Sequence, residues 1–431
     1  MLIGLARPGG RVNVLKIAMF GTFDIANFGD ILFPIVTEEM FRRTGHPIEL
    51  RRYSYRAKSA SDWHYDVRPI EALESDLADT DLVLVGGGHL IHANAFMAPG
   101  YKPPSPDIPH PFAFWWLPAV AGRIAGVPVA LHAPSIDPTF PEWSKPLFEG
   151  FAQSLDYATA RDRRSCERLT ALGAHDIQRV PDCIFSISEI ITRGRFSDEF
   201  AEFRRRYELS KPYLIVQPSA ALRNNRAEID RLIQGAQGKG WDVVELPIFQ
   251  EKLNRAGIFA NVPGVKMIDS SPDPMLLAEI IANAQAVVGI SLHLSIVAAS
   301  FGVPIYRKRY SPKSKFILLD ELADEIGFLD ENPKLRDEAG IASPAIAQFQ
   351  ERLRAHYAKL VELASLPNTA DRRARGFDML KRLPDALRQQ QSVGERAAEY
   401  RLMARRARNF MAARLSVPID RVTSVLRYRS R

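Results

Sequence analysis

Cysteine is scarce. Cys166 and Cys183 are the only two in 431 residues. That excludes a disulfide framework, and neither belongs to a C-x-x-C pair that would suggest a metal site. The usage fits a reducing compartment. Long apolar runs are also missing. The most apolar stretch, "FAFWWLPAVAGRIAGVPVALHAP", is broken by Arg123 and three prolines, which argues against a membrane span. The opening "MLIGLARPGGRVNVLKIAMF" carries Arg7, Arg11 and Lys16 and no small-residue cleavage site, so a secretory pattern is lacking. A cytoplasmic protein is expected. The body of the chain has no positive excess either. Asp371–Arg431 holds 16 Lys/Arg against 6 Asp/Glu, a net of +10, and the whole chain is only +7, which leaves the body at −3. A nucleic-acid-binding core is not implied.

What is present reads as α/β. Hydrophobic residues make up 46% and charged residues 25%, enough to fill a core in each of two large domains. Short β-branched runs alternate with longer helical patterns. "VLKIAMFG", "DLVLVGGG" and "VPVALHAPS" read as strands of a first unit, with helices at "ILFPIVTEEMFRRTG" and "KPLFEGFAQSLD". A charged stretch, "RGRFSDEFAEFRRRYELSKP", reads as a linking helix. The alternation then restarts with "PYLIVQPSA", "WDVVELPIF", "VKMID", "AVVGIS" and "VPIYRKR". Runs this apolar suit strands buried on both faces of a parallel sheet. Two doubly wound β/α domains facing across a cleft are expected, 14–205 and 211–345, followed by a helical extension with a basic tail, 346–431. In open α/β sheets ligands sit at the carboxyl ends of the strands. "GERAAEYRLMARRARNFMAARL" in the tail has the composition of a basic amphipathic helix suited to a partner or to an anionic membrane surface.

Four stretches carry residues suited to chemistry. "GTFDIANFGDILFP" follows a strand and opens a helix; Asp30 stands where an N-cap is expected, and Asn27 and Asp30 are candidates to hydrogen-bond a polar ligand, with Gly29 permitting a tight turn. It is not the G-x-G-x-x-G fingerprint, because the glycine spacing fails. "LVGGGHLIH" lets the backbone at Gly87 and Gly88 approach a ligand, with His89 directly after. His89 and His92 lack a further ligand at convincing spacing, so no metal is expected. In "ATARDRRSCERL", Arg161 falls at a strand end, as a guanidinium that could grip carboxylate or phosphate. In "GISLHLSIVAASFGVP", Ser291 and His293 lie at a strand exit and a helix start, where anions are favoured. Arg223, and beyond the next strand Arg307, Arg309 and Lys313, extend the cationic set.

These stretches, in this order, resemble the polysaccharide pyruvyl transferase family. The matching elements are "ANFGD", "DLVLVGGG", "RDRRSCERLTALGAHDIQRVPD" and "SLHLSIVAASFGVP", and the likeness covers about residues 14 to 320. The resemblance implies a GT-B-like fold. It implies transfer of a pyruvyl group from phosphoenolpyruvate onto two hydroxyls of a sugar residue, with no metal, nucleotide or other cofactor. By carry-over, Arg161 would grip the donor, while His293 would bind it and move a proton. The N-terminal domain would then be the acceptor side (Asn27, Gly29, Gly87, Gly88, His89, with Asp30 in catalysis). The C-terminal domain would be the donor side (Ser291, Arg223, Arg307, Arg309, Lys313). The chain departs from the pattern at Ser291, where the family carries an arginine. The expected partners are phosphoenolpyruvate and a glycan or lipid-linked sugar, with the basic tail as a peripheral contact at the inner membrane face. Two rival readings remain. One is a GT-B glycosyltransferase using a nucleotide sugar. The other is a catalytically impaired relative acting as a binding subunit.

Overall fold

The computed structural model describes residues 14–93, 111–137, 139–248, 262–268, 272–310, 315–336 and 339–390. Two parallel sheets organise them. The first has five strands in the spatial order Arg68–Pro69, Ile48–Ser54, Leu15–Phe20, Leu82–Gly86, Val129–His132. The second has six: Val265–Met267, Asp242–Glu245, Tyr213–Val216, Ala286–Val288, Ile305–Arg307, Ile326–Phe328. The central strands are buried on both faces, which is why Leu82–Gly86 and Tyr213–Val216 read as unbroken apolar runs.

Each sheet starts in its middle and reverses direction of winding beside its first strand. In the first sheet the reversal lies between Leu15–Phe20 and Leu82–Gly86; in the second it lies between Tyr213–Val216 and Ala286–Val288. Such switch points leave a crevice at the carboxyl ends of the strands. Gly21 and Gly86–Gly88 exit into one crevice, and Gln217 and Gly289–Ser291 exit into the other.

Three helices matter for the site. Helix α1 (Phe28–Arg43) follows the first strand, α2 (Leu292–Ser300) follows Ala286–Val288, and α3 (Pro344–Ala364) follows the second sheet. All nine residues of α2 are buried. A single apolar cluster runs through both units, from Ile31 and Phe41 of α1 through Leu294 and Val297 of α2 to Phe349 and Leu353 of α3. Helix α3 is therefore no appendage to the second unit. It returns to the first, where Tyr357 meets Phe41 edge-on at 5.2 Å and His356 meets His132. The amphipathic pattern of 346–364, the start of the helical extension, is a core face. Residues 370–390 form a further helix. The segment "GERAAEYRLMARRARNFMAARL" lies outside the described residues. Among the described residues no helix is long and apolar enough to cross a membrane.

Candidate active site

The two helix starts at the switch points meet. Helix α1 is capped by Asn27, whose side-chain oxygen accepts from the Gly29 N–H at 3.2 Å. The cap is thus Asn27, where Asp30 was expected. Asn27 has the extended backbone a cap requires (φ −123°, ψ 124°), and the helix begins one residue later, so Asp30 falls in the first turn. There a carboxylate is favoured by the helix dipole, as Arg42 and Arg43 are in the last turn. Asn27, read as a ligand contact, spends its carbonyl oxygen on the helix.

The His293 imidazole from α2 lies directly against Gly29. A Cβ added at Gly29 would stand 1.8 Å from His293 Nδ1, so only glycine allows the two units this approach. Phe33, one turn further along α1, meets the His293 ring edge-on at 5.6 Å. The glycines after Leu82–Gly86 close the third side. Gly87 and Gly88 both take left-handed backbone, φ +82° and +71°. A Cβ on Gly87 would press on the Phe33 ring at 2.9 Å, and one on Gly88 would stand 3.5 Å from Asp30 Oδ1. Gly29, Asp30, Gly87, Gly88 and His293 therefore stand together at the interface of the two units. His293 is 9% exposed.

On the α2 side the strand exit is fixed by Gln217. Its side-chain oxygen accepts from the N–H groups of Ile290 and Ser291, at 2.9 and 3.0 Å. Ser291 caps the helix, accepting from the Leu294 N–H. Beneath this turn lies Arg307, 1% exposed. Its Nη1 donates to Ser295 Oγ at 3.0 Å and its Nη2 to the Ile290 carbonyl at 3.4 Å; Ser295 Oγ in turn donates to the Ser291 carbonyl. Nε has no partner, and no carboxylate pairs with the guanidinium among the described residues. Among the described residues the rings of Phe316 and Tyr310, at 4.4 and 5.0 Å, face its charge. Burial pulls its pKa down to about 10. A helix start with a buried, uncompensated cation behind it is an environment that favours an anion.

Residues 27–312 match the model of the family described as polysaccharide pyruvyl transferase. The chain belongs to that family. As a polysaccharide pyruvyl transferase family member it is a transferase of polysaccharide biosynthesis, with a sugar or polysaccharide acceptor. No curated protein matches the sequence. Among solved structures, UDP-GlcNAc 2-epimerase from Methanocaldococcus jannaschii is 11% identical, with a TM-score of 0.51 over 80% of this chain and 100% of that chain. The Neisseria meningitidis UDP-GlcNAc 2-epimerase bound to UDP-GlcNAc is 10% identical, with a TM-score of 0.49 over 87% and 100%. The glycosyltransferase VinC in complex with dTDP is 13% identical, with a TM-score of 0.38 over 87% and 100%. At 11% identity the likeness to the Methanocaldococcus jannaschii enzyme is one of fold, and the fold of this pyruvyl transferase family member is GT-B-like.

The remaining sequence candidates fall elsewhere. Arg161 is buried, but its charge is already met: Nη1 pairs with Asp182 Oδ2 at 2.7 Å, and Nε donates to Ser135 Oγ at 2.7 Å. Two of its five N–H groups are thereby engaged and its charge is paired within the fold, whereas the sequence reading made it a donor clamp. Arg309 likewise points away from that role, paired with Asp330 at 3.1 Å and with Glu331 on the surface. Arg223 is exposed in the turn after Tyr213–Val216. His89 is half-buried and stacks on the buried His92, ring centroids 5.7 Å apart. Lys313 lies outside the described residues. Among the described residues there is no group of three or more His, Cys, Asp or Glu able to hold a metal. Sequence reasoning missed Gln217, Ser295 and Phe33. For Gln217 the signal was available: a polar residue ending an apolar central strand at a switch point.

Proposed function

We propose that this enzyme moves a pyruvyl group from phosphoenolpyruvate onto two hydroxyls of a sugar residue in a surface or exopolysaccharide intermediate, closing a ketal and releasing phosphate. The observation that carries the reading is Arg307, a buried cation without a carboxylate, lying behind the α2 start that bears His293. A small polyanion such as phosphoenolpyruvate supplies the missing negative charge. Arg307 acts from beneath through the field at the turn, in the region where the family arginine is replaced by Ser291.

The chemistry balances. A proton goes to the methylene carbon of the enol. The first sugar oxygen bonds the electron-poor carbon and gives up its proton. The second oxygen then bonds the same carbon as phosphate leaves with the electrons of its C–O bond, and a second proton is released. One donor and one diol give one ketal and inorganic phosphate. His293 is suited to deliver the methylene proton, since an imidazole serves as both acid and base. Asp30, across the interface, is suited to receive a hydroxyl proton. The open glycines at 29, 87 and 88 suit a sugar lying against backbone. No metal or cofactor enters this scheme. The net +10 of Asp371–Arg431 supports a peripheral contact with an anionic membrane bearing a lipid-linked acceptor.

The test is to incubate the protein with phosphoenolpyruvate and candidate acceptor glycans and to follow phosphate. Release that depends on the acceptor and is lost in His293→Ala is expected. A folded protein that releases none, and that is stabilised by a nucleoside diphosphate but not by phosphoenolpyruvate, would instead be a nucleotide-sugar enzyme.

A further inference from the structure

A groove of about 750 Å³ runs along the outer edge of the first unit, where α3 and the helix at 370–390 fold back beside Tyr157 and Gln178. Its volume is that of a small-molecule pocket, for which ~300–1,000 Å³ is usual. Its charges do not balance. Asp156 on its wall faces Arg123 at 2.7 Å and Arg372 at 3.3 Å, and Arg375 is close enough to Arg123 to disfavour its charge further. Arg123 is wholly buried, and among the described residues its Nε and Nη2 have no hydrogen-bond partner. Arg375 has no ion-pair partner among the described residues. At the other end Arg179 and Arg352 share one carboxylate, Glu321, at 3.0 and 3.7 Å. Arg179, Arg352 and Arg375 line the groove with Asp156 and Asp176, and Arg123, Arg372 and Glu321 stand behind its wall as ion-pair partners of Asp156, Arg179 and Arg352, so that five guanidiniums face three carboxylates, an excess of two positive charges. Lys359, also on the wall, is neutralised locally by Glu362.

Arg123 and Arg372 are buried behind the wall, while Arg179, Arg352 and Arg375 reach the groove, and a groove lined by more guanidiniums than carboxylates attracts an anion. We propose that this groove is a second ligand site, separate from the cleft, that binds a phosphate monoester of a small polar molecule. The phosphate sits between the Asp156 and Glu321 clusters, where two negative charges balance the excess and the guanidiniums offer paired donors. Tyr157, whose hydroxyl lies 3.3 Å from His356 Nδ1, provides a hydroxyl on the groove wall for the rest of the ligand. The site does not depend on the donor assigned to the cleft.

The experiment uses glucose 1-phosphate as probe and neutral glucose as control, with thermal shift and calorimetric titration on the full chain. Stabilisation by the phosphate ester alone is expected, with affinity falling at least tenfold in the Arg375→Gln/Arg352→Gln double variant and unchanged in Arg307→Met. Both groove side chains reach the surface, so the unliganded variant should fold, and a charge-keeping Arg375→Lys/Arg352→Lys pair should recover part of the binding. Wild-type affinity in the Gln variant, loss of binding only in Arg307→Met, or no stabilisation of the wild-type protein would each overturn the site.

Discussion

Two sites of the molecule treat buried charge differently. In the first unit Arg161 is held by Asp182 and Ser135, and His132 is held between Thr37 at 2.9 Å and His356 at 2.8 Å. In the second unit Arg307 is as deeply buried, yet its hydrogen bonds go to a serine hydroxyl and a carbonyl, and its charge has no acidic partner among the described residues. A closed pair belongs to the fold. An open charge beside a helix start is where the proposed function puts the donor anion. Burial alone does not tell them apart; the counter-ion does.

The comparison can be broken most sharply at the closed pair. Arg161→Ala leaves the Asp182 carboxylate buried without its cation and should destabilise the protein by about 3–5 kcal/mol, read by urea unfolding. If activity of the remaining folded enzyme fell while stability held, Arg161 would belong to the site after all. The histidine pair gives the next largest effect. Burial holds the His132 pKa down to about 3 and His356 well below its usual value. Below the ordinary pKa of about 6.5 the unfolded chain takes up protons that the folded chain refuses. Stability is therefore full above that value and is lost as pH falls toward about 3, at roughly 1.4 kcal/mol per pH unit for each proton. Chemical denaturation at pH 7.5 and 5.5 checks the slope, which His356→Leu should flatten.

The open charge should behave in the reverse sense. Arg307→Met removes an unpaired buried cation, so the melting temperature should stay level or rise, while kcat/KM for the donor falls tenfold or more, about 1.4 kcal/mol. Arg309→Ala sharpens the contrast from the other end. Its guanidinium is spent on Asp330 and Glu331 at the surface, and neither melting temperature nor turnover should change.

Much of the architecture was legible in the residues. Apolar strand runs ending in glycine or a polar residue marked both sheets, and they put the "ANFGD", "GGG" and "SLH" stretches at carboxyl ends, where the chain brings them together. The pairing of charges was not legible. Arg161 meets an aspartate 21 residues on, while Arg307 and Arg309, two residues apart, differ only in what the fold brings to each. The cap of α1 was misplaced because Asn27 and Asp30 are both good caps and backbone dihedrals decide between them. The amphipathic face of α3 could be read, but its partner could not: His356 meets His132 across 224 residues of chain.

The most direct test of the open-charge account is phosphoenolpyruvate binding by wild-type protein and Arg307→Met, measured by calorimetry beside melting temperatures without ligand. The account predicts that the variant melts no lower than wild type and binds the donor at least tenfold more weakly. A variant that binds the donor as tightly as wild type, or that unfolds without it, would contradict the claim that Arg307 is kept unpaired for an anion.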